Sequence, residues 1–104
     1  MKELMEELIK FQTERDWKQF HTPENLAKSI SIEAAELLEH FQWNKEYNKD
    51  EVVDELADVI NYCFLMADAL EVDVKEIVLN KMKKTAEKYP IEKSKGVSTK
   101  YTQL

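Results

Sequence analysis

One glycine and two prolines among 104 residues leave this chain few ways to turn a corner. Sheets need tight turns, and tight turns need residues that accept positive φ or hold φ fixed. The chain is therefore expected to be all-α, built from long helices with few connections. Its length suits one domain, and a domain this small buries a modest share of its surface, so association with further copies is an expected source of core. Hydrophobic residues at 43% and charged residues at 35% fit helices with one apolar face and one strongly solvated face.

The net charge of −6 is unevenly spread. Residues 81–104 hold seven lysines against two acids, a balance of +5, which leaves −11 for residues 1–80. An acidic body argues against broad binding to a nucleic-acid backbone, which needs a basic face. The basic end is either a solvated tail or the phosphate-facing part of an otherwise acidic site. Cys63 is the sole cysteine, so no intrachain disulfide forms and a reducing cytoplasm is the expected setting. Tyr62, Phe64 and Leu65 around it predict a buried thiol. The charged N-terminal residues do not read as a signal peptide, and the longest apolar run, Tyr62 to Ala67, is far short of the ~20 residues of a membrane span.

Apolar spacing predicts four helices. The first covers about 2–17, with Leu4, Leu8 and Phe11 on one face. After a short connector, Thr22 reads as an N-cap, Pro23 as the first helical residue and Glu24 as a first-turn acid, opening a helix to about Trp43. A loop at 44–49 precedes a third and most apolar helix over about 50–70, capped by Asp50 or Asn48 and suited to a bundle centre or a subunit interface. A fourth covers about 73–89, capped by Asp73 and stopped by Pro90. Residues 91–104 read as an extended tail.

Two carboxylate pairs stand out. Glu33 and Glu36 on the second helix, and Glu55 and Asp58 on the third, are each three residues apart, one turn along one face. Spacing alone says little, because an acidic helix makes such pairs by chance. Position within the apolar stripe says more. Leu26, Ile30, Glu33 and Leu37 follow steps of four, three and four, and Val52, Glu55, Val59, Tyr62 and Met66 follow three, four, three and four. Glu33 and Glu55 thus occupy core positions, with Glu36 and Asp58 on the rim. A buried carboxylate without a partner costs several kcal/mol. Two on facing helices, each with an acidic neighbour, make sense around a divalent cation; were the helices rotated otherwise, all four would be solvated acids. An all-oxygen donor set suits magnesium, with manganese possible. The Glu-x-x-His pairs of di-iron bundles are absent, and Cys63 and the two histidines lack zinc spacing. Magnesium held this way takes oxygens from a substrate's phosphates, so a nucleotide or another polyphosphate is the expected ligand.

These residues resemble a known family. Glu33-Ala-Ala-Glu36, eighteen residues, then Glu55-Leu-Ala-Asp58 is similar to the paired motifs of the MazG-like all-α NTP pyrophosphatases. The segment Arg15 to Leu26, with Phe41-Gln-Trp43, Asp58 to Tyr62, Asn80-Lys-Met82, Tyr89-Pro90 and Lys100-Tyr-Thr102, resembles their dCTP pyrophosphatase branch. The resemblance implies a four-helix core, dimers often paired into tetramers, and hydrolysis of a nucleoside triphosphate between the α- and β-phosphates to the monophosphate and pyrophosphate. It implies magnesium on Glu33, Glu36, Glu55 and Asp58. In-line attack by water follows as the mechanism, with Glu36 the first choice of base for its rim position. Trp17, Trp43 and Tyr62 match the aromatic base pocket. Asn61 is a candidate for the base edge or sugar, Lys81 and Lys84 for the phosphates, and Lys100 and Tyr101 for a tail folding over the site. Leu8 replaces a histidine of the mammalian relatives, and His21 reads as structural at the helix start. Sister activities on dUTP or phosphoribosyl-ATP, and a non-enzymatic helical interaction module, are the competing readings.

Overall fold

The computed structural model describes residues 1–43 and 46–104. Every regular element among them is helical, and none is long and apolar enough to cross a membrane. The chain forms two compact units, Met1–Val72 and Asp73–Leu104.

In the first unit α1 (Lys2–Glu14), α2 (Pro23–Glu39) and α3 (Lys49–Ala69) pack with α3 against both others, most extensively against α2. Leu26 is fully buried, and Phe64, Leu65 and Ala67 of α3 complete the small apolar centre. Gln12 is the one buried polar side chain among the described residues, 2% exposed. Local chemistry sets the helix starts. The Thr22 hydroxyl accepts from Asn25 N–H at 3.2 Å with Pro23 at the first helical position, and Asn48, not Asp50, caps α3 by accepting from Glu51 N–H at 3.2 Å.

Both α1 and α2 stop earlier than apolar spacing predicts. The first ends at Glu14, not Trp17, because Asp16 turns left-handed (φ 53°). Trp17 N–H then reaches back to Gln12 C=O at 2.9 Å and Asp16 N–H to Thr13 C=O at 3.1 Å, the six-to-one and five-to-two bonds of a Schellman end. The connector contains a 3₁₀ turn, Lys18–Phe20. The second helix ends at Glu39, not Trp43, as Phe41 and Gln42 tighten to three-residue bonds on Leu38 and Glu39. Asn44 and Lys45 of the expected loop lie outside the described residues, and Lys49 already begins α3.

Cys63 is exposed, contrary to the expectation from its neighbours. A helix turns those neighbours away from it: Phe64 and Leu65 face the centre, while Cys63 falls in line with Val53, Leu56 and Ile60, all exposed. The apolar character of α3 thus divides between two faces, one of them uncovered.

In the second unit α4 (Val74–Lys88) is capped by Asp73, whose carboxylate accepts from Glu76 N–H at 2.9 Å, and it ends before Pro90. The remaining residues are not simply extended: α5 (Ile91–Ser94) and a 3₁₀ turn (Tyr101–Gln103) interrupt them. Tyr101 N–H donates to the Tyr89 hydroxyl at 3.1 Å, and the two rings meet edge-on at 5.9 Å, which ties this segment back to the end of α4.

Candidate functional site

Packing α2 on α3 brings Glu33 to Glu55 and Asp58. One carboxylate oxygen of each lies within 4.8 Å of the others, with Glu33 and Glu55 half-buried and Asp58 exposed. Glu33 Oε2 and Glu55 Oε2 are shut off from solvent without a hydrogen-bond partner, so the reading of four fully solvated acids does not hold. Ionised carboxylates have no proton to offer one another, which favours the protonated form of Glu33. Its pKa is pushed up to about 7, first by a hydrogen bond shared with Glu36, then by burial, by the charge of Glu36, by a hydrogen bond to Glu55 and by the charge of Asp58. Glu36, half-buried, thus stands beside Glu33 at the margin of the three-carboxylate cluster. A hard divalent cation fits this donor set. It takes oxygen ligands, offsets the mutual repulsion and gives the two enclosed oxygens the partner they lack.

Asp58 also belongs to a second feature. A cavity of about 270 Å³ is lined by Asp58, Asn61 and Tyr62 of α3, by Trp17, and by the apolar side chains of Leu8, Phe11 and Leu65, with Gln12 and His21 as further polar walls. The left-handed Asp16 that ends α1 delivers Trp17 to this cavity. Phe11 and Trp17 meet edge-on at 5.8 Å, and the Arg15 guanidinium lies 3.6 Å from the Phe11 ring centre while its Nη1–H donates to the Phe11 carbonyl at 3.1 Å. His21 stands edge-on to both Trp17 and Tyr62, at 6.4 Å from each. Burial lowers the pKa of the His21 imidazole.

Three of the four expected aromatic and amide contacts, Trp17, Asn61 and Tyr62, therefore share one cavity. Trp43 does not; it follows the end of α2 and is 83% exposed. Lys81, Lys84, Lys100 and Tyr101 all belong to the second unit. There Lys81 borders an open hollow with Ile77, Met82 and Tyr89, Lys84 and Lys100 are exposed, and Lys88 Nζ sits 4.7 Å from the ring centre of Tyr101. Sequence reasoning passed over Phe11, Gln12 and Leu65 as lining residues and gave His21 a structural role. A signal existed for Gln12: it lies four residues after Leu8, a polar side chain at an apolar position.

Carboxylates on α2 and α3, spaced as in the paired motifs, thus meet in space. The MazG-like family pattern matches residues 28–104, nearly three-quarters of the chain and all four of those acids. This chain belongs to the MazG-like family. Among relatives of this MazG-like chain, the dCTP pyrophosphatase 1 of Mus musculus and that of Homo sapiens are each 36% identical across 90% of it. The chain spans 61% of the length of either relative. A pyrophosphatase from Archaeoglobus fulgidus with a crystal structure is 44% identical, with a TM-score of 0.81 over 86% of this chain and 92% of its own. The family match begins after Trp17 and His21, so the α1 side of the cavity is the part of the site that the family pattern leaves open.

Proposed function

We propose that this MazG-like chain is a magnesium-dependent nucleoside triphosphate pyrophosphohydrolase that cleaves dCTP, or several dNTPs, between the α- and β-phosphates to the monophosphate and pyrophosphate. One observation carries the reading: Asp58 lies both in the carboxylate cluster and in the wall of the aromatic cavity. A cation and a flat ring held there would be neighbours, as the phosphates and base of one nucleotide are. Relatives named dCTP pyrophosphatase and a structural neighbour named pyrophosphatase support the same reaction.

Glu33, Glu55 and Asp58 would hold the cation, with Glu36 beside them. When bound, magnesium supplies neutralisation of phosphate oxygens and stabilisation of the charge that develops at phosphorus. The side chains do the rest. Trp17, Phe11 and Tyr62 offer faces and edges to the base, and stacking of this kind is worth about 1–3 kcal/mol per base with little discrimination. Glu36, at the cluster margin, takes the proton of the attacking water at its carboxylate. The functional unit is proposed to be a homodimer or homotetramer.

Incubation with each common NTP and dNTP, with and without magnesium, tests the reading by product analysis. Monophosphate and pyrophosphate are expected, only with the metal. Release of inorganic phosphate from the γ position instead, or no turnover by folded protein, would overturn it.

A further inference from the structure

Gln12 is 2% exposed, and both ends of its amide are engaged. Its Nε2–H donates to Asp68 Oδ2 at 3.3 Å, and its Oε1 lies 2.7 Å from His21 Nδ1. The chemistry of these groups allows one arrangement. A carboxylate only accepts, so Asp68 fixes which end of the amide carries the donor; the opposite end is then an oxygen, which also only accepts, so His21 Nδ1 must carry a proton. In a neutral imidazole the other nitrogen, Nε2, then bears a lone pair. Burial favours that neutral ring. Nε2 has no protein hydrogen-bond partner among the described residues, and the ring lines the cavity between Trp17 and Tyr62. At about 270 Å³ the cavity is smaller than the ~300–1,000 Å³ of sites that enclose a whole small molecule, which suits a nucleobase rather than an entire nucleotide.

We propose that Asp68 and Gln12 lock His21 into the Nδ1–H tautomer, leaving Nε2 as a hydrogen-bond acceptor that selects bases presenting an amino N–H over those presenting a keto oxygen. This rests on the nucleotide reading above. Stacking on Trp17 and Tyr62 is nearly blind to base identity, so discrimination has to come from polar groups in the wall. An acceptor there gains a bond to the exocyclic amine of cytosine and meets lone-pair repulsion from the corresponding oxygen of uracil. Asp68 and Gln12 act through His21 and are positioning residues. Their hydrogen bonds also tie α1 to α3, and a purely structural tie would affect folding without affecting the choice of base.

Asp68→Asn changes little in shape but frees the amide, since an asparagine can face Gln12 with either a donor or an acceptor. Gln12→Met removes the relay altogether. Two readouts decide: the ring-nitrogen NMR signals of His21, and the dissociation constants of dCMP and dUMP, with turnover of dCTP and dUTP followed in parallel. The intact protein is expected to show His21 protonated on Nδ1 and to bind dCMP more tightly than dUMP. Each variant is expected to shift the ring toward the Nε2–H form and to cut the dCMP preference roughly tenfold, the loss in turnover appearing in KM. His21 protonated on Nε2 in the intact protein would overturn the proposal, as would equal binding of dCMP and dUMP or a preference unchanged in both variants. The tautomer and the binding preference can hold in a protein that turns over no triphosphate; that result would sink the proposed reaction and leave the base selector standing. Gln12→Glu with Asp68→Asn, in which the asparagine donates to the carboxylate and the carboxylate accepts from His21 Nδ1–H, is expected to restore the tautomer and the preference.

Discussion

A glutamate set where a helix would bury a leucine can hold a proton, meet a cation, or push its neighbours away. Glu33 has an enclosed oxygen with no hydrogen-bond partner, and a pKa pushed up to about 7 from the ordinary 4.5 favours the first choice. Between those values the folded state holds a proton that the unfolded chain has released. Without metal, stability is therefore expected to fall as pH rises from about 4.5 to about 7 and to level off above. Thermal melts in chelator across that range should show the decline. A cation on the ionised carboxylates reverses the preference for a proton, so magnesium is expected to raise Tm most near neutral pH; at a hundred times its Kd a single ion adds about 2.7 kcal/mol. Glu33→Gln keeps the shape and removes the charge. It is expected to flatten the chelator profile, to remove most of the magnesium response, and to lower turnover by about a hundredfold or more, on the scale of losing one preorganised electrostatic group. A magnesium-induced rise in Tm that survives in Glu33→Gln would take Glu33 out of the cation site.

Helix ends decide which side chains reach the site, and in the first unit two of them turn left-handed without glycine. Asp16 and Glu71, at φ 53° and 57°, hold left-handed positions that close α1 and α3 with paired bonds to the preceding turn. A side chain in that region costs about 1–2 kcal/mol, partly offset when glycine's extra unfolded-state freedom is counted. Asp16 recovers some of this, since its carboxylate and carbonyl both accept from Gln19 Nε2–H at 3.0 Å. Glu71 has no such bond among the described residues, so Glu71→Gly is expected to stabilise the fold by about 0.5–1 kcal/mol, measured as a rise in urea midpoint with an unchanged slope. A lower midpoint would mean that the Glu71 side chain contributes in a way its position does not show. The same ends explain what could be read in advance. Thr22-Pro23-Glu24 and Asp73 announce helix starts because a cap is a short-range bond between neighbours in sequence. The stops at Glu14 and Glu39 were not announced, because neither has a glycine and the apolar spacing runs on to Trp17 and Trp43. Placing Glu33 and Glu55 at core positions was possible because a stripe needs only the helical period. Joining Gln12, His21 and Asp68 needed the packing of α1 on α3, which no local pattern contains. Cys63 was misjudged for the same reason: its neighbours are apolar on two faces, and only packing shows which face is covered.

That uncovered face bears on the molecule as a whole. Along α3, Val53, Leu56, Ile60 and Cys63 follow steps of three, four and three, and all are exposed, Val53 by 50% and Leu56 by 46%. On α2, Ile32 and Leu38 are 58% and 68% exposed. Single exposed apolar residues are ordinary on any protein, but a row at helical spacing on the most apolar helix is the pattern expected of an association surface. Buried apolar side chains are few among the described residues, so a lone copy has a small core on which to rest. A second copy is the occupant expected, in keeping with the dimers and tetramers implied by the sequence resemblance. Light scattering behind size exclusion is expected to give at least a dimer at micromolar concentration. Leu56→Glu or Ile60→Glu sets an unpaired charge into that row, where burial would cost several kcal/mol. Each is expected to shift the protein to monomer and to lower its Tm, with the lost stability no longer recovered by raising protein concentration, since association stabilises by mass action. Neither residue lines the Asp58 cavity or supplies a carboxylate, so any accompanying loss of turnover would follow from the loss of the second copy. A species that is monomeric at every concentration and unmoved by these changes would assign the α3 row to a different partner.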